Sequence, residues 1–326
     1  MNISPGKLEF TEEEHAQLRV DVRAVIEAGT AQAEVARQAD VPSSTLSQYL
    51  NGKYSAEPGK TETAVRLHKW LRSLETAAEV RNRLPVAPTY QPLKAANSIR
   101  AQLTFARLTG RMVLIGGAPG VGKTATARQF QSDNPHVWYA AMNPTTERPS
   151  TMLRAFLTAM GVAGVKGSPQ LMHEQVCFGA KGKSGLLIVD EAQHLSEAAI
   201  DALRSVNDEI RVGIAVMGNE VIHSKVGATG VKPAFAQVSS RFSRRSWYQA
   251  PDPQDVADLA NAWAASNIEI LGPDEIRFCQ EIAARPGGLR NIEMTMEAAI
   301  MIARGVEQPL EISHLRGAFS QLSGVR

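Results

Sequence analysis

The chain has 326 residues, enough for two or three domains, and its 44% hydrophobic and 21% charged fractions are those of an ordinary soluble protein. Its two cysteines, Cys177 and Cys279, lie far apart with no C-x-x-C, so neither a disulfide framework nor a zinc site is suggested; with no apolar run near a membrane span and no signal-peptide core in "MNISPGKLEF", a cytoplasmic protein is expected, in the host cell if phage-encoded. The net charge of +2 hides an asymmetry, because residues 86–250 carry 18 Lys and Arg against 10 Asp and Glu, while residues 251–326 carry 6 against 11.

The first segment reads as helical. Thr11 and Glu14 form a capping box, and Leu18, Val22, Val25 and Ile26 keep helical spacing up to a stop at Gly29. The next stretch, "AQAEVARQADVPSSTLSQYLNGKY" (31–54), has the layout of a helix-turn-helix and resembles the DNA-binding helix pairs of phage repressors. Its second helix is capped by Ser43 or Ser44 and offers Ser44, Thr45, Ser47 and Gln48 to a groove, with Asp40 in the turn where such pairs often use Gly. A helical adaptor without base contacts is the alternative, since that helix is nearly without Lys or Arg. Residues 1–82 are thus an all-α domain. The stretch 83–94, containing "RLPVAPTYQPL", reads as a linker because three prolines cannot sit inside a helix.

From 95 to 250 strand and helix alternate, as in an α/β domain with a parallel sheet covered by helices on both faces. Strands are expected at 111–116, 137–142, 185–190, 212–218 and 246–250. After the first of these comes "GGAPGVGKTA", where Gly117, Gly122, Lys123 and Thr124 satisfy G-x-x-x-x-G-K-[ST]. The backbone of Gly117, Ala118, Pro119, Gly120, Val121, Gly122, Lys123, Thr124 and Ala125 would cradle phosphates, Lys123 would reach the β and γ phosphates of ATP, and the Thr124 hydroxyl would hold Mg2+. The strand "LLIVD" ends in Asp190, a second Mg2+ partner, and Glu191, which can deprotonate an attacking water. Asn219 ends the following strand and can hold the same water if that strand lies between the other two; a turn-forming Asn is the plainer reading.

"SSRFSRRSW" (239–247) is a basic knot before the last strand. Arg241 is the first candidate for an arginine inserted into a neighbour's γ-phosphate site, with Arg244 and Arg245 in reserve or on nucleic acid, against a merely solvated basic turn. Lys166, Lys181, Lys183, Lys225 and Lys232, in loops flanking the strands, are the expected DNA-backbone contacts. Residues 251–326 read as a helical lid, with helices at 253–266, 273–285, 288–304 and 311–322. Arg290 in "RPGGLRN" opposes its helix dipole, which reaching back to the nucleotide would explain.

With these motifs in this order, residues from about 95 to 326 resemble AAA+ ATPases. The helix-turn-helix, "GAPGVGKT", "IVDEAQHL", "VMGN", "SRF" and "PGGLR" together resemble a narrower group spanning almost the whole chain, the transposition B family of phage Mu and its relatives, AAA+ regulators of DNA transposition. The resemblance implies an ATP-dependent, largely nonspecific binder of double-stranded target DNA that assembles into a helical oligomer, delivers the DNA to a phage transposase and stimulates strand transfer. It also implies target immunity through transposase-triggered ATP hydrolysis. The family's tail is regarded as contacting DNA and transposase; here it is acidic, so Asp252, Asp255, Asp258, Asp274 and Glu275 are expected to form an exposed surface for a basic segment of the transposase. A helicase-loader-type ATPase and an ATP-responsive helix-turn-helix transcriptional regulator are the competing readings.

Overall fold

The computed structural model describes residues 10–53, 57–222 and 239–324. It divides into two compact units, Met1–Leu84 and Pro85–Arg326. Among the described residues no helix is long and apolar enough to cross a membrane.

Among the described residues the first unit holds four helices, α1 (Glu12–Glu27), α2 (Gln32–Gln38), α3 (Ser43–Leu50) and α4 (Glu57–Arg83). The Thr11 capping box forms in full, with Thr11 N–H donating to Glu14 Oε2 at 2.8 Å and Glu14 N–H to Thr11 Oγ1 at 3.3 Å. Leu18 and Val22 of α1, Val35 and Ala36 of α2, Leu46 and Tyr49 of α3 and Leu67 and Trp70 of α4 bury one core, as expected of apolar residues three and four apart. The buried His15 Nδ1 meets the Tyr49 hydroxyl at 2.7 Å, so the polar ends of both rings are satisfied inside that core. Asp40 turns the chain between α2 and α3 at φ 52, a left-handed conformation that Asp tolerates better than most side chains. Arg66 of α4 bonds both the Asp40 carbonyl and, at 2.9 Å, its carboxylate. The expected Ser cap of α3 is not what forms: Pro42 occupies the N-cap position, and Ser43 and Ser44 fall in the first turn. Proline fixes φ and has no N–H to satisfy, so it starts the helix by a different route.

The second unit holds α5 (Lys94–Thr109), β1 (Met112–Gly117), α6 (Lys123–Asp133), β2 (Val137–Ala141), α7 (Pro149–Ala159), α8 (Pro169–Ala180), β3 (Leu186–Asp190), α9 (Glu197–Ile210), β4 (Gly213–Gly218), the short α10 (Glu220–Ile222), β5 (Phe242–Tyr248) and then α11 (Pro253–Ser266), α12 (Pro273–Ala283), α13 (Leu289–Gly305) and α14 (Ile312–Ser323). The sheet order is β2-β3-β4-β1-β5, and every pairing is parallel. Alternate strand residues face opposite cores. Leu114, Leu187, Val189, Ile214 and Val216 pack with α7, α8 and α9, while Val113, Ile115, Ile188, Ala215 and Met217 pack with α5 and α6. This is the AAA+ P-loop arrangement, with β4 between β1 and β3.

Two further sequence readings are corrected. The last strand begins at Phe242, four residues earlier than expected, so Arg244 and Arg245 lie within β5 rather than before it. An edge strand can present a polar run because only one of its sides is paired; Phe242 is buried as its anchor, and Arg244 stacks with its guanidinium carbon 3.7 Å from the Phe105 ring centre. The second correction concerns the acidic tail. Asp255 is fully buried and accepts from the backbone N–H groups of Lys94 at 2.7 Å and Ala95 at 3.1 Å, so it satisfies the start of α5. Glu275 likewise accepts from Gly272 N–H at 3.0 Å and Ile312 N–H at 3.1 Å, joining the starts of α12 and α14. Asp252 caps α11 and pairs with Lys94 at 3.3 Å, Asp258 accepts from Gln254, and Asp274 pairs with Arg277. Asp255 and Glu275 are therefore internal fastenings of the lid rather than a docking surface.

Candidate nucleotide site

The phosphate loop leaves β1 and enters α6 with Gly120 and Gly122 at φ 78 and 87, where a side chain would be strained. The loop is tied down on two sides. Ala118 N–H donates to Tyr248 O of β5 at 2.8 Å, and Leu289 N–H at the start of α13 donates to Gly120 O at 2.8 Å. A Cβ on Gly120 would lie 1.7 Å from Gly287 O, so lid and loop meet backbone to backbone.

A cavity of about 540 Å3 opens over this loop and is lined by Gly120 to Thr126 together with Glu191, Asn219, Trp263, Arg290 and Glu293. Lys123 Nζ donates to Gly117 O at 2.8 Å and Ala118 O at 2.9 Å. Burial lowers its pKa from the ordinary lysine value, opposed by the Asp190 and Glu191 carboxylates and assisted by Arg290. Thr124 Oγ1 donates to Asp190 Oδ2 at 2.6 Å, which puts the two expected metal partners in contact. Asp190 is buried, and besides Thr124 it accepts from Tyr139 at 2.8 Å and from the Glu191 backbone N–H at 2.9 Å. Burial, then the Asp190 charge, raises the Tyr139 pKa and keeps the phenol a donor. Glu191 is exposed and held at φ 54, a left-handed conformation costing a non-glycine residue roughly 1–3 kcal/mol.

The site thus gathers the phosphate loop, Asp190, Glu191, Asn219 and Arg290. Arg241 is not among the described residues lining it and pairs instead with Asp208 at 3.2 Å. Lys166 and Lys181 are exposed in the loops at opposite ends of the twelve-residue α8, a helix about 18 Å long. Lys183 precedes β3, at the end of that strand away from Asp190. Lys225 and Lys232 lie outside the described residues. On α3, Ser44 and Gln48 are exposed and Thr45 and Ser47 half-buried.

Four contributors went unread in the sequence. The proline-rich stretch taken as a linker lines the cavity through Ala87, Pro88, Thr89, Tyr90 and Gln91, and the Tyr90 hydroxyl reaches Thr126 at 3.4 Å. Gln193, on a short turn after β3, contacts Glu191. Tyr139 reaches Asp190 from the neighbouring strand, and Glu293 stands one helical turn beyond Arg290, its pKa raised by burial against the lowering effect of Arg290. Only the last carried a sequence signal, a carboxylate three residues after a cation on one helix face. Away from the cavity, His173 and Cys177 of α8 and Glu209 of α9 bring ligand atoms within 4.8 Å of one another, a cluster that cysteine spacing alone did not suggest. Burial, then Glu209, pushes the Cys177 thiol up to about 12.

Comparison with known proteins agrees with this architecture. Residues 106–226 match the AAA domain family, and residues 240–322 match the family described as Mu B transposition protein, C terminal. The chain is an ATPase that carries an AAA domain, and it is similar to the Mu B transposition proteins. It is 27% identical over 308 residues to the ATP-dependent target DNA activator B of Escherichia phage Mu, covering 94% of this chain and 95% of that one. It is also 27% identical over 266 residues to the Mu-like prophage FluMu DNA transposition protein B of Haemophilus influenzae, covering 81% and 89%. Among solved structures, a Walker-type ATPase of Pyrococcus abyssi shares the fold of the ATPase with a TM-score of 0.50 at 10% identity, covering 72% of each chain.

Proposed function

We propose that this ATPase is an activator of target DNA that assembles on double-stranded DNA in its ATP state, delivers that DNA to a phage transposase and stimulates strand transfer. Transposase-triggered hydrolysis then removes it from DNA near the transposase. The observation that carries this reading is one cavity uniting a phosphate loop with Glu191, Asn219 and Arg290 in a chain that aligns over nearly its whole length with target DNA activators.

In this mechanism Lys123 and the loop N–H groups hold the β and γ phosphates, and Arg290 reaches them from the lid. The oxygen donors of Thr124 and Asp190 suit a hard cation, so these two residues would hold Mg2+. When bound, the ion offsets negative charge on the phosphates. Glu191 accepts the proton of the attacking water, and Asn219 orients that water. Arg241, outside the cavity of its own chain, serves the site of the adjacent subunit. DNA is held by Lys166, Lys181, Lys183, Lys225 and Lys232, and the α2–α3 helix pair presents Ser44, Thr45, Ser47 and Gln48 to a groove.

Electron microscopy with DNA, with and without ATP, tests the reading. Glu191→Gln retains ATP binding, loses turnover by at least about a hundredfold and leaves filaments that persist. A short protected palindrome in place of continuous, concentration-dependent coverage would instead identify a transcriptional regulator. Mixing Arg241→Ala with Lys123→Ala protein restores part of the turnover that each lacks, because a Lys123→Ala subunit lends its arginine to an intact neighbouring site. Mixtures no more active than the separate variants would exclude Arg241 from that role.

A further inference from the structure

We propose that Gln193 is a positioning residue for hydrolysis, tying the Glu191 carboxylate to the end of β4. The inference rests on the reading of Glu191 as the group that activates water.

One side chain makes both connections. Gln193 Nε2 donates to Glu191 Oε2, and Gln193 Oε1 accepts from the Asn219 backbone N–H at 3.4 Å. A carboxylate can only accept, so the amide NH2 must face Glu191 and the amide oxygen must face Asn219; one amide orientation satisfies both. The base of Gln193 is fixed. Its neighbours Ala192 and Leu195 are buried at 0% and 1% exposure, and Leu195 N–H closes the turn on Ala192 O at 3.0 Å. Space for the amide exists because β4 ends in glycine: a Cβ on Gly218 would come within 2.7 Å of Gln193 Oε1. Asn219 is itself held, its Oδ1 accepting from Val221 N–H at 3.0 Å.

The tie has a physical use. Glu191 is exposed on a left-handed residue, so its long side chain has rotamers to lose before it can meet a water at the γ phosphate. Gln193 anchors one carboxylate oxygen and leaves the other as the base. It also links that oxygen to the residue that orients the water, so Glu191 and Asn219 keep a fixed spacing. An ordinary turn glutamine would not bind a carboxylate with one end of its amide and a strand-end N–H with the other.

The test uses the full chain. Gln193→Ala, and the near-isosteric Gln193→Met in case the first does not fold, should lower kcat roughly tenfold while KM, affinity for a fluorescent ATP analogue and melting temperature stay within about twofold or unchanged. Gly218→Ala should act in the same direction with Gln193 intact. Added to Glu191→Gln, Gln193→Ala should cause no further loss, since nothing remains to be positioned. Unchanged or raised kcat in both Gln193 variants overturns the proposal, as does a fall in kcat matched by lost ATP affinity. If Glu191→Gln turns over normally, it is the reading of Glu191 that fails; if that variant is inactive and Gln193→Ala is fully active, only the tie fails.

Discussion

Glu293 gives the site a pH signature. Its carboxyl titrates higher in the folded protein than in the unfolded chain, because burial outweighs the attraction of Arg290. The folded state therefore binds that proton more tightly, and the stability it brings is present below the unfolded value of about 4.3 and lost as pH rises through the folded one. Glu293→Gln removes the ionisation, so at pH 7 the variant should melt higher than wild type, with the difference closing near pH 4 in calorimetry. A lower melting temperature at pH 7 would mean that Arg290 prevails over burial. Legibility at this level followed locality. Lys123, Thr124 and Asp190 were readable because a loop between strand and helix dictates its own chemistry, whereas Tyr139 meets Asp190 and Gln193 meets Asn219 only when strands come into register.

Helix starts show where a charge count misleads. The tail is acidic by composition, yet Asp255 accepts from backbone N–H groups at the distant start of α5, and Glu275 from its own helix start at Gly272 and from the distant Ile312. Asp255→Asn keeps one accepting oxygen and turns an NH2 toward a second N–H, leaving a buried donor without a partner. It should cost about 1–3 kcal/mol in urea unfolding, far more than an exposed carboxylate would. A loss below a few tenths would show that water replaces the cap. The strands of the sheet were legible from their apolar runs and all but β5 fell where expected; the early start of β5 was hidden because edge pairing asks for no apolar pattern, only for Phe242 to anchor it. Of the stretch 83–94 read as a linker, Arg83 ends α4 and Lys94 begins α5, while the residues between them are non-helical; their place against the phosphate loop depends on contacts no local pattern encodes.

The division into Met1–Leu84 and Pro85–Arg326 implies two independently folding parts, each with its own buried core. Residues 85–326 expressed alone should hydrolyse ATP, since every described residue lining the cavity belongs to them. Residues 1–84 alone should melt cooperatively by circular dichroism. A fragment 85–326 that is folded but cannot bind ATP would show that the cavity depends on the first unit. The order of motifs along the chain was enough to recognise the ATPase core, because β1, β3 and β4 lead in sequence order into the phosphate loop, Asp190 with Glu191, and Asn219.

The meeting of Gly120 with Gly287 and Gly288 has a consequence for mutational tolerance. Most packed contacts can drift, since a residue that grows on one side is accommodated by one that shrinks on the other. Here there is nothing to shrink: a Cβ on Gly120 meets the Gly287 carbonyl, and one on Gly288 meets the Gly120 carbonyl at 2.9 Å. A saturation screen should therefore find Gly120 and Gly288 intolerant of nearly every replacement, and a search for second-site suppressors at the opposing glycines should come back empty, although neither offers a side chain to the nucleotide.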